Sequence, residues 1–249
     1  MSRLRRGLAT VCAVLYLLPA TLILGSLAVV VAWVPPRGNG VALLARIWAR
    51  GLLAAAGVRV RIEGVERLER RRGYLFMPNH QSYFDVVAML AAIPGTYRFV
   101  AKRSLFGIPI FGWALWAGGF IPVDRHDRSR ARDIWKAAGD RLARGASVLF
   151  YPEGTRSRTG LIGPFHRGAF LVALKTGAPI VPTGVSGAHE VMPPGTLWIT
   201  PGTISLRFGE PLDPGEYSVR EKDALVARVR ATVSELSGVA FEPEGRGAA

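Results

Sequence analysis

The chain has 249 residues, 49% of them apolar, with 32 Lys and Arg against 18 Asp and Glu and a formal net charge of +14. This length and apolar content fit one sizeable α/β domain plus a membrane attachment and argue against two full soluble domains. The single cysteine, Cys12, excludes an intrachain disulfide, and the lack of a Cys pair or His-rich cluster argues against a structural zinc site and a thiol nucleophile.

A pI near 11.1 points to an anionic partner, either nucleic acid or the anionic face of a bilayer. The position of the charge separates the two. Residues Gly7 to Pro36 contain no Asp, Glu, Lys, Arg or His, which marks a membrane segment. The run is too long for the apolar core of a signal peptide and shows no obvious Ala-x-Ala cleavage pattern near its end. Pro19 and Gly25 interrupt it, so it reads either as one long tilted span or as two short helices that re-enter the same leaflet. Arg3, Arg5 and Arg6 precede the run, Arg37, Arg46, Arg50, Arg59 and Arg61 follow it, and no acid occurs in the first 62 residues. With both flanks positive, the positive-inside rule favours the re-entrant hairpin, both ends lying on the cytoplasmic face. Val41 to Ala56, with Arg46 and Arg50 among Leu43, Leu44, Ile47, Trp48, Leu52 and Leu53, reads as a basic amphipathic helix on the bilayer surface, or equally as a core-facing helix.

Beyond it, β-type runs fall at Val58 to Glu63, Tyr74 to Met77, Tyr97 to Ala101, Gly119 to Val123, Ser147 to Tyr151, Ile180 to Val185 and Ile204 to Phe208. Helical stretches alternate with them at Phe84 to Ile93, Ile110 to Ala117, Ser129 to Arg144, Gly168 to Thr176 and Arg220 to Leu236. The fold class is α/β, a mixed sheet flanked by helices with an N-terminal membrane-embedded helical segment. Residues 1–57 form the membrane-anchoring part, 58–241 the α/β domain, and 242–249 a small polar tail expected to be disordered. The basic helix Ser129 to Arg144 reads as a solvated face, because Ile134, Ala137, Ala138 and Leu142 fall at core-facing spacing. No interleaving of aromatic and basic residues suggests nucleic-acid binding.

His80 and Asp85 stand five positions apart in Asn79-His-Gln-Ser-Tyr-Phe-Asp85, directly after the apolar run Tyr74 to Pro78. A histidine takes a proton from a hydroxyl near neutral pH when a carboxylate holds its other ring nitrogen in one tautomer. The same residues read as a helix start, Ser82-x-x-Asp85 being a variant capping box for Phe84 to Ile93. The two readings are compatible. Together they place His80 just outside a helix N-terminus, where free N–H groups and the dipole favour negative charge developing on a reacting oxygen.

Three further segments sit at strand ends, where open α/β sheets gather functional groups: Gly119-Phe-Ile-Pro-Val-Asp-Arg125, Tyr151-Pro-Glu-Gly-Thr-Arg-Ser157 and Val181-Pro-Thr183. The guanidinium fork of Arg156 suits a phosphate, and the nearby Gly154 lets the backbone approach closely. Ion pairs Asp124–Arg125 and Glu153–Arg156 are the competing readings, and Lys102, beside Arg103, also reads as simply solvated. His166 has no carboxylate at comparable spacing and more simply begins a helix, while His126 and His189 lack supporting context. The aromatic-rich run Leu105 to Phe120 reads as the wall of an apolar groove or as ordinary core.

Four such blocks in this order are far more specific than any one, and the stretch from Gly73 to Gly187 resembles the 1-acyl-sn-glycerol-3-phosphate acyltransferases of the glycerolipid acyltransferase superfamily. The resemblance implies His80 as general base and Asp85 as the residue that orients it. It implies Glu153, Gly154, Thr155 and Arg156 as contacts to the glycerol phosphate of lysophosphatidic acid, with Arg125 and Lys102 as further phosphate contacts. It also implies an acyl-CoA or acyl-carrier protein co-substrate, no metal or cofactor, and a catalytic domain on the cytoplasmic face of the inner (plasma) membrane. Direct transfer needs no acyl-enzyme, and Ser82, the one nearby hydroxyl able to form one, is more economically a cap. Tyr151 stands where the family more commonly has Phe. Another lyso-lipid, a lyso-ornithine lipid or lysophosphatidylglycerol, is the alternative acceptor, and Arg156 favours the phosphate monoester over it.

Overall fold

The computed structural model describes residues 3–34, 38–69, 72–124 and 131–243. Seven strands, β1 (Val58–Glu63), β2 (Leu75–Pro78), β3 (Tyr97–Lys102), β4 (Ile121–Val123), β5 (Ser147–Leu149), β6 (Ile180–Ser186) and β7 (Gly202–Phe208), form one sheet in the order β1-β7-β6-β2-β5-β3-β4. Every neighbouring pair is parallel except β6 with β7, so the sheet is mixed. The helices are α1 (Arg3–Val31), α2 (Asn39–Ala55), α3 (Tyr83–Ala92), α4 (Phe111–Ala117), α5 (Ala131–Ala143), α6 (Gly168–Thr176), α7 (Ala188–Val191) and α8 (Lys222–Ser237).

Alternation along the strands divides the core between the two faces of the sheet. Leu75, Met77 and Val148 pack with α5, α6 and α8, while Phe76, Tyr97, Phe99 and Leu149 pack with α2 and α3. Both faces of the central strands are covered, which is why β2 and β5 read as apolar runs rather than alternating ones. In α5, Ala138 and Leu142 are buried against the sheet and the charged residues stay outside, as the spacing predicts. Because β2 to β6 run parallel, Pro78, Lys102, Val123, Leu149 and Ser186 all end at one edge. The motif blocks begin at that edge.

The N-terminal segment differs from the expected pair of short helices. Residues 3–31 form one continuous helix through Pro19 and Gly25. Gly25 is a seat, not a break: a Cβ there would lie 2.8 Å from Cγ2 of Ile110. The buried residues of α1, Ala9, Ala13, Ala20 and Ala28, form a small-residue seam that lets neighbouring elements come close. The hairpin is instead made by α1 with α2. Trp48 Nε1 donates to Thr21 Oγ1 at 3.0 Å, Tyr16 Oη donates to the Trp48 carbonyl at 3.3 Å, and Gly40 faces Val31, so the two helices run antiparallel.

The arginines of α2 also differ from a bilayer-facing arrangement. Arg46 Nη2 donates to the carbonyls of Ile93 and Gly95 at 2.7 and 2.9 Å, and Arg50 reaches Ala91. They cap the C-terminal end of α3, where carbonyls lack intrahelical partners and the dipole favours a cation. Leu43 and Ile47 are the exposed large apolar residues of α2. In the run Leu105 to Phe120 the two readings divide, Phe106 and Phe120 entering the core and Trp113 and Trp116 remaining exposed.

Candidate active site

His80 lies just past the end of β2, nearly buried, with Nδ1 3.0 Å from Asp85 Oδ1 and 3.2 Å from Oδ2. Asp85 stands in the first turn of α3, and its Oδ2 also accepts the N–H groups of Gln81 at 2.7 Å and Ser82 at 2.8 Å. The carboxylate that completes the capping box is therefore the one that holds the imidazole. Ser82, fully buried, accepts from Phe84 N at 3.1 Å and donates to the Met192 carbonyl at 2.8 Å. These contacts correct one expectation. The N–H groups of Gln81, Ser82 and Phe84 are already spent on Asp85 and Ser82, so the helix end does not offer them to a reacting oxygen. With Nδ1 turned to Asp85, Nε2 is the nitrogen left to accept a proton, and it has no hydrogen-bond partner among the described residues.

The Tyr151 block is bonded to the His80 block through the backbone. His80 N donates to Glu153 Oε1 at 2.6 Å, Ser157 N donates to the His80 carbonyl at 2.7 Å, and Gln81 Nε2 donates to the Gly160 carbonyl at 2.6 Å. The other oxygen of Glu153 accepts Gly163 N at 3.0 Å. Both oxygens thus serve buried backbone donors, and the side chain neither faces outward to a phosphate nor pairs with Arg156. Burial pushes the Glu153 carboxyl up to about 7, the two N–H bonds pulling the other way. A turn closed by Gly154 N to the Tyr151 carbonyl at 3.0 Å aims Glu153 inward. Gly154 takes φ +70, and a Cβ there would sit 3.0 Å from Cδ2 of His166. His166 is accordingly a prop, its N–H donating to the Pro152 carbonyl.

Arg156 leaves the same loop in the opposite sense. Its guanidinium lies 3.7 Å above the ring of Tyr83, the first residue of α3, and pairs with no carboxylate among the described residues. Stacking occupies its face and leaves its N–H edge available for an anion. Thr155 is exposed beside it. Lys102 is exposed at the end of β3, on the same sheet edge, and Arg125 lies outside the described residues. Thr183 is buried in β6, its hydroxyl donating to the Val181 carbonyl at 3.2 Å. Asn79, also buried, clamps β2 to β6 through both bonds of its amide with Val185.

An acyltransferase family model matches residues 59–186. The chain belongs to the acyltransferase family. It is 34% identical over 77% of its length to the chloroplastic 1-acyl-sn-glycerol-3-phosphate acyltransferase LPAT1 of Arabidopsis thaliana, of which it covers 52%. A 1-acyl-sn-glycerol-3-phosphate acyltransferase of Salmonella typhimurium is 30% identical over 77% of this chain and 79% of that one. The chain spans about half the length of the plant relatives it matches. The crystal structure of the 1-acyl-sn-glycerophosphate (LPA) acyltransferase PlsC from Thermotoga maritima superposes with a TM-score of 0.80 at 24% identity, over 98% of this chain and all of that one, which shows the shared fold.

In this member of the acyltransferase family, two aromatic residues belong to the site that the sequence pattern did not single out for it. The Tyr151 ring stacks on the His80 imidazole, centroids 3.9 Å apart and planes at 25°. Its buried hydroxyl makes no well-formed hydrogen bond among the described residues, though Asp85 is close, and burial first, then the Asp85 carboxylate, hold the phenol well above its ordinary range. Tyr83 is the other, as the platform for Arg156. Each lies inside a motif block, but its partner lies in the other block, so no local spacing reveals the pair.

Proposed function

We propose that the chain transfers a fatty acyl group from acyl-CoA or acyl-carrier protein to the sn-2 hydroxyl of 1-acyl-sn-glycerol-3-phosphate, giving phosphatidic acid. The observation that carries this is the His80–Asp85 pair joined by backbone bonds to the loop that presents Arg156. The named relatives act on this acceptor, and the residues here fit the same chemistry. His80 Nε2 removes the proton from the hydroxyl as its oxygen attacks the thioester carbonyl. Asp85 keeps the Nδ1–H in place and stabilises the imidazolium. The tetrahedral adduct collapses, the carbon–sulfur bond breaks, and the imidazolium returns its proton to the departing thiolate. Arg156 binds the phosphate monoester, with Thr155, Lys102 and Arg125 as further contacts. The strongly basic chain suits either acidic donor.

The same reading places α1 and α2 in one leaflet, with the catalytic edge above the cytoplasmic face of the inner membrane. The helix α1 is long and apolar enough to cross a bilayer. Yet it touches the α/β domain at both Thr10, which accepts Ile199 N at 2.9 Å, and Gly25 against Ile110. Those positions are about 22 Å apart along a helix rising 1.5 Å per residue, most of the thickness of the hydrocarbon core. A helix held to the domain over that length lies along the membrane surface more readily than through it.

Acylation of lysophosphatidic acid, lysophosphatidylglycerol and a lyso-ornithine lipid by the full chain, beside Arg156→Ala, tests the acceptor assignment. Lysophosphatidic acid should be preferred, and Arg156→Ala should raise its apparent KM by about ten-fold or more, with a smaller effect on lysophosphatidylglycerol, a singly charged diester, and little on the lyso-ornithine lipid. Equal loss on all three acceptors would remove Arg156 from phosphate binding.

A further inference from the structure

A second basic site lies at the opposite edge of the sheet. Arg98 at the start of β3, Arg141 in the last turn of α5, Arg144 just beyond it, and Gly38 and Asn39 at the start of α2 line a cleft of about 420 Å³. That volume is within the range of small-molecule sites. Along β3, Tyr97 and Phe99 face α2 and α3, so Arg98 points to the α5 side, where the other two arginines stand.

Arg98 is a fixed part of the wall, 5% exposed, with Nη1 donating to Thr96 Oγ1 at 3.0 Å and to the Tyr97 carbonyl at 2.7 Å. Arg141 Nε donates to the Gly119 carbonyl at 3.2 Å. Burial, and after it the charge of Arg141, lowers the Arg98 guanidinium to about 10, so the two cations stand in each other's field. None of the described residues lining the cleft is acidic. The helix α2 starts there without a side-chain cap, and its positive end adds to the same field. Like charges gathered at a concave site, Arg141 and Arg144 beside the buried Arg98, favour a bound anion.

We propose that this cleft binds the phosphate group of an anionic membrane phospholipid, apart from the catalytic centre. The six residues of β3 separate the two edges by about 20 Å, too far for one headgroup to bridge. The lipid source follows from the surroundings. The lining residues Gly38 and Asn39 follow the exposed Trp33 and Val34 by a few positions in the chain, and Ala117 follows the exposed Trp116. Aromatic side chains of this kind settle at headgroup height. The proposal rests on the membrane placement of α1 and is independent of the acyl-transfer chemistry.

The test is the thermal midpoint of the full chain in neutral detergent during titration with dihexanoyl-phosphatidylglycerol, dihexanoyl-phosphatidylcholine or inorganic phosphate. The anionic lipid should give a saturable rise that the zwitterionic lipid does not. Arg144→Gln, on an exposed side chain, and separately Arg141→Gln, should weaken it about ten-fold. Arg132→Gln with Lys136→Gln, which removes twice the charge of either cleft variant from the exposed face of α5, should leave it unchanged. An equal effect of that control pair, or no effect of either cleft variant, overturns the site. A saturable, Arg144-dependent rise with inorganic phosphate to which the lipid adds nothing overturns the lipid assignment.

Discussion

Glu153 keeps a carboxyl group where its neutral form is favoured, and this has a signature in stability. Its pKa of about 7 lies above the ordinary 4.5. The native state therefore holds the proton more tightly than the unfolded chain. The contribution is fully present below pH 4.5 and is lost as pH rises through about 7, an amount on the order of 3 kcal/mol. Glu153→Gln cannot ionise, so its unfolding free energy, measured by denaturant across that window, should lack the fall seen in the wild type. Parallel profiles would show that Glu153 does not titrate there. Tyr151→Phe makes the complementary case. It keeps the stack on His80 and removes a buried hydroxyl that makes no well-formed hydrogen bond among the described residues, so the variant should be as stable as the wild type or more so, by up to about 1 kcal/mol, with turnover within a few-fold. A loss of stability beyond about 1 kcal/mol would mean that the hydroxyl is bonded, with Asp85 the nearest candidate. Neither role was legible in the sequence. His80 and Asp85 could be paired from spacing because only the short entry into α3 separates them, whereas Glu153 meets His80 only through the fold.

At the level of the elements, α3 carries two functions on one N-terminal turn. Ser82→Ala removes the cap and the bond to Met192 but leaves Asp85 on His80, so it should cost about 1–3 kcal/mol in stability while acyl transfer persists. Asp85→Asn disturbs both, and turnover should fall by about 10³ to 10⁴. Unfolding curves and turnover for the two variants check this. A stable but inactive Ser82→Ala would instead point to an acyl-enzyme on that hydroxyl. The strands and, apart from the four-residue α7, the helices of the α/β domain were legible almost to their ends, because apolar runs bounded by Gly, Pro and charged residues leave few alternatives in an α/β chain. The helix α1 was not, since Pro19 and Gly25 read as breaks until Ile110 and α2 supply the packing that holds the helix together. The direction of Arg46 and Arg50 was hidden for the same reason, because the carbonyls they cap belong to a helix some forty residues onward.

On the scale of the whole molecule, the sheet gathers its motif blocks at one edge while α1 and α2 pack together beside the domain, the pair proposed above to lie in one leaflet. If both helices stay in one leaflet, cysteines introduced before Gly7 and after Pro36, with Cys12 replaced, should be labelled by an impermeant thiol reagent from the same side of the membrane. Labelling from opposite sides would make α1 a span and require its contacts at Thr10 and Gly25 to open. The central claim is that the His80–Asp85 pair, held by the loop from Tyr151, performs acyl transfer. It is tested most directly by phosphatidic acid formation from 1-acyl-sn-glycerol-3-phosphate with acyl-CoA or acyl-carrier protein, comparing wild type with His80→Ala at equal folded concentration. The predicted result is a loss of at least about 10³-fold with an unfolding midpoint near that of the wild type. Turnover by His80→Ala within about ten-fold of the wild type would contradict it.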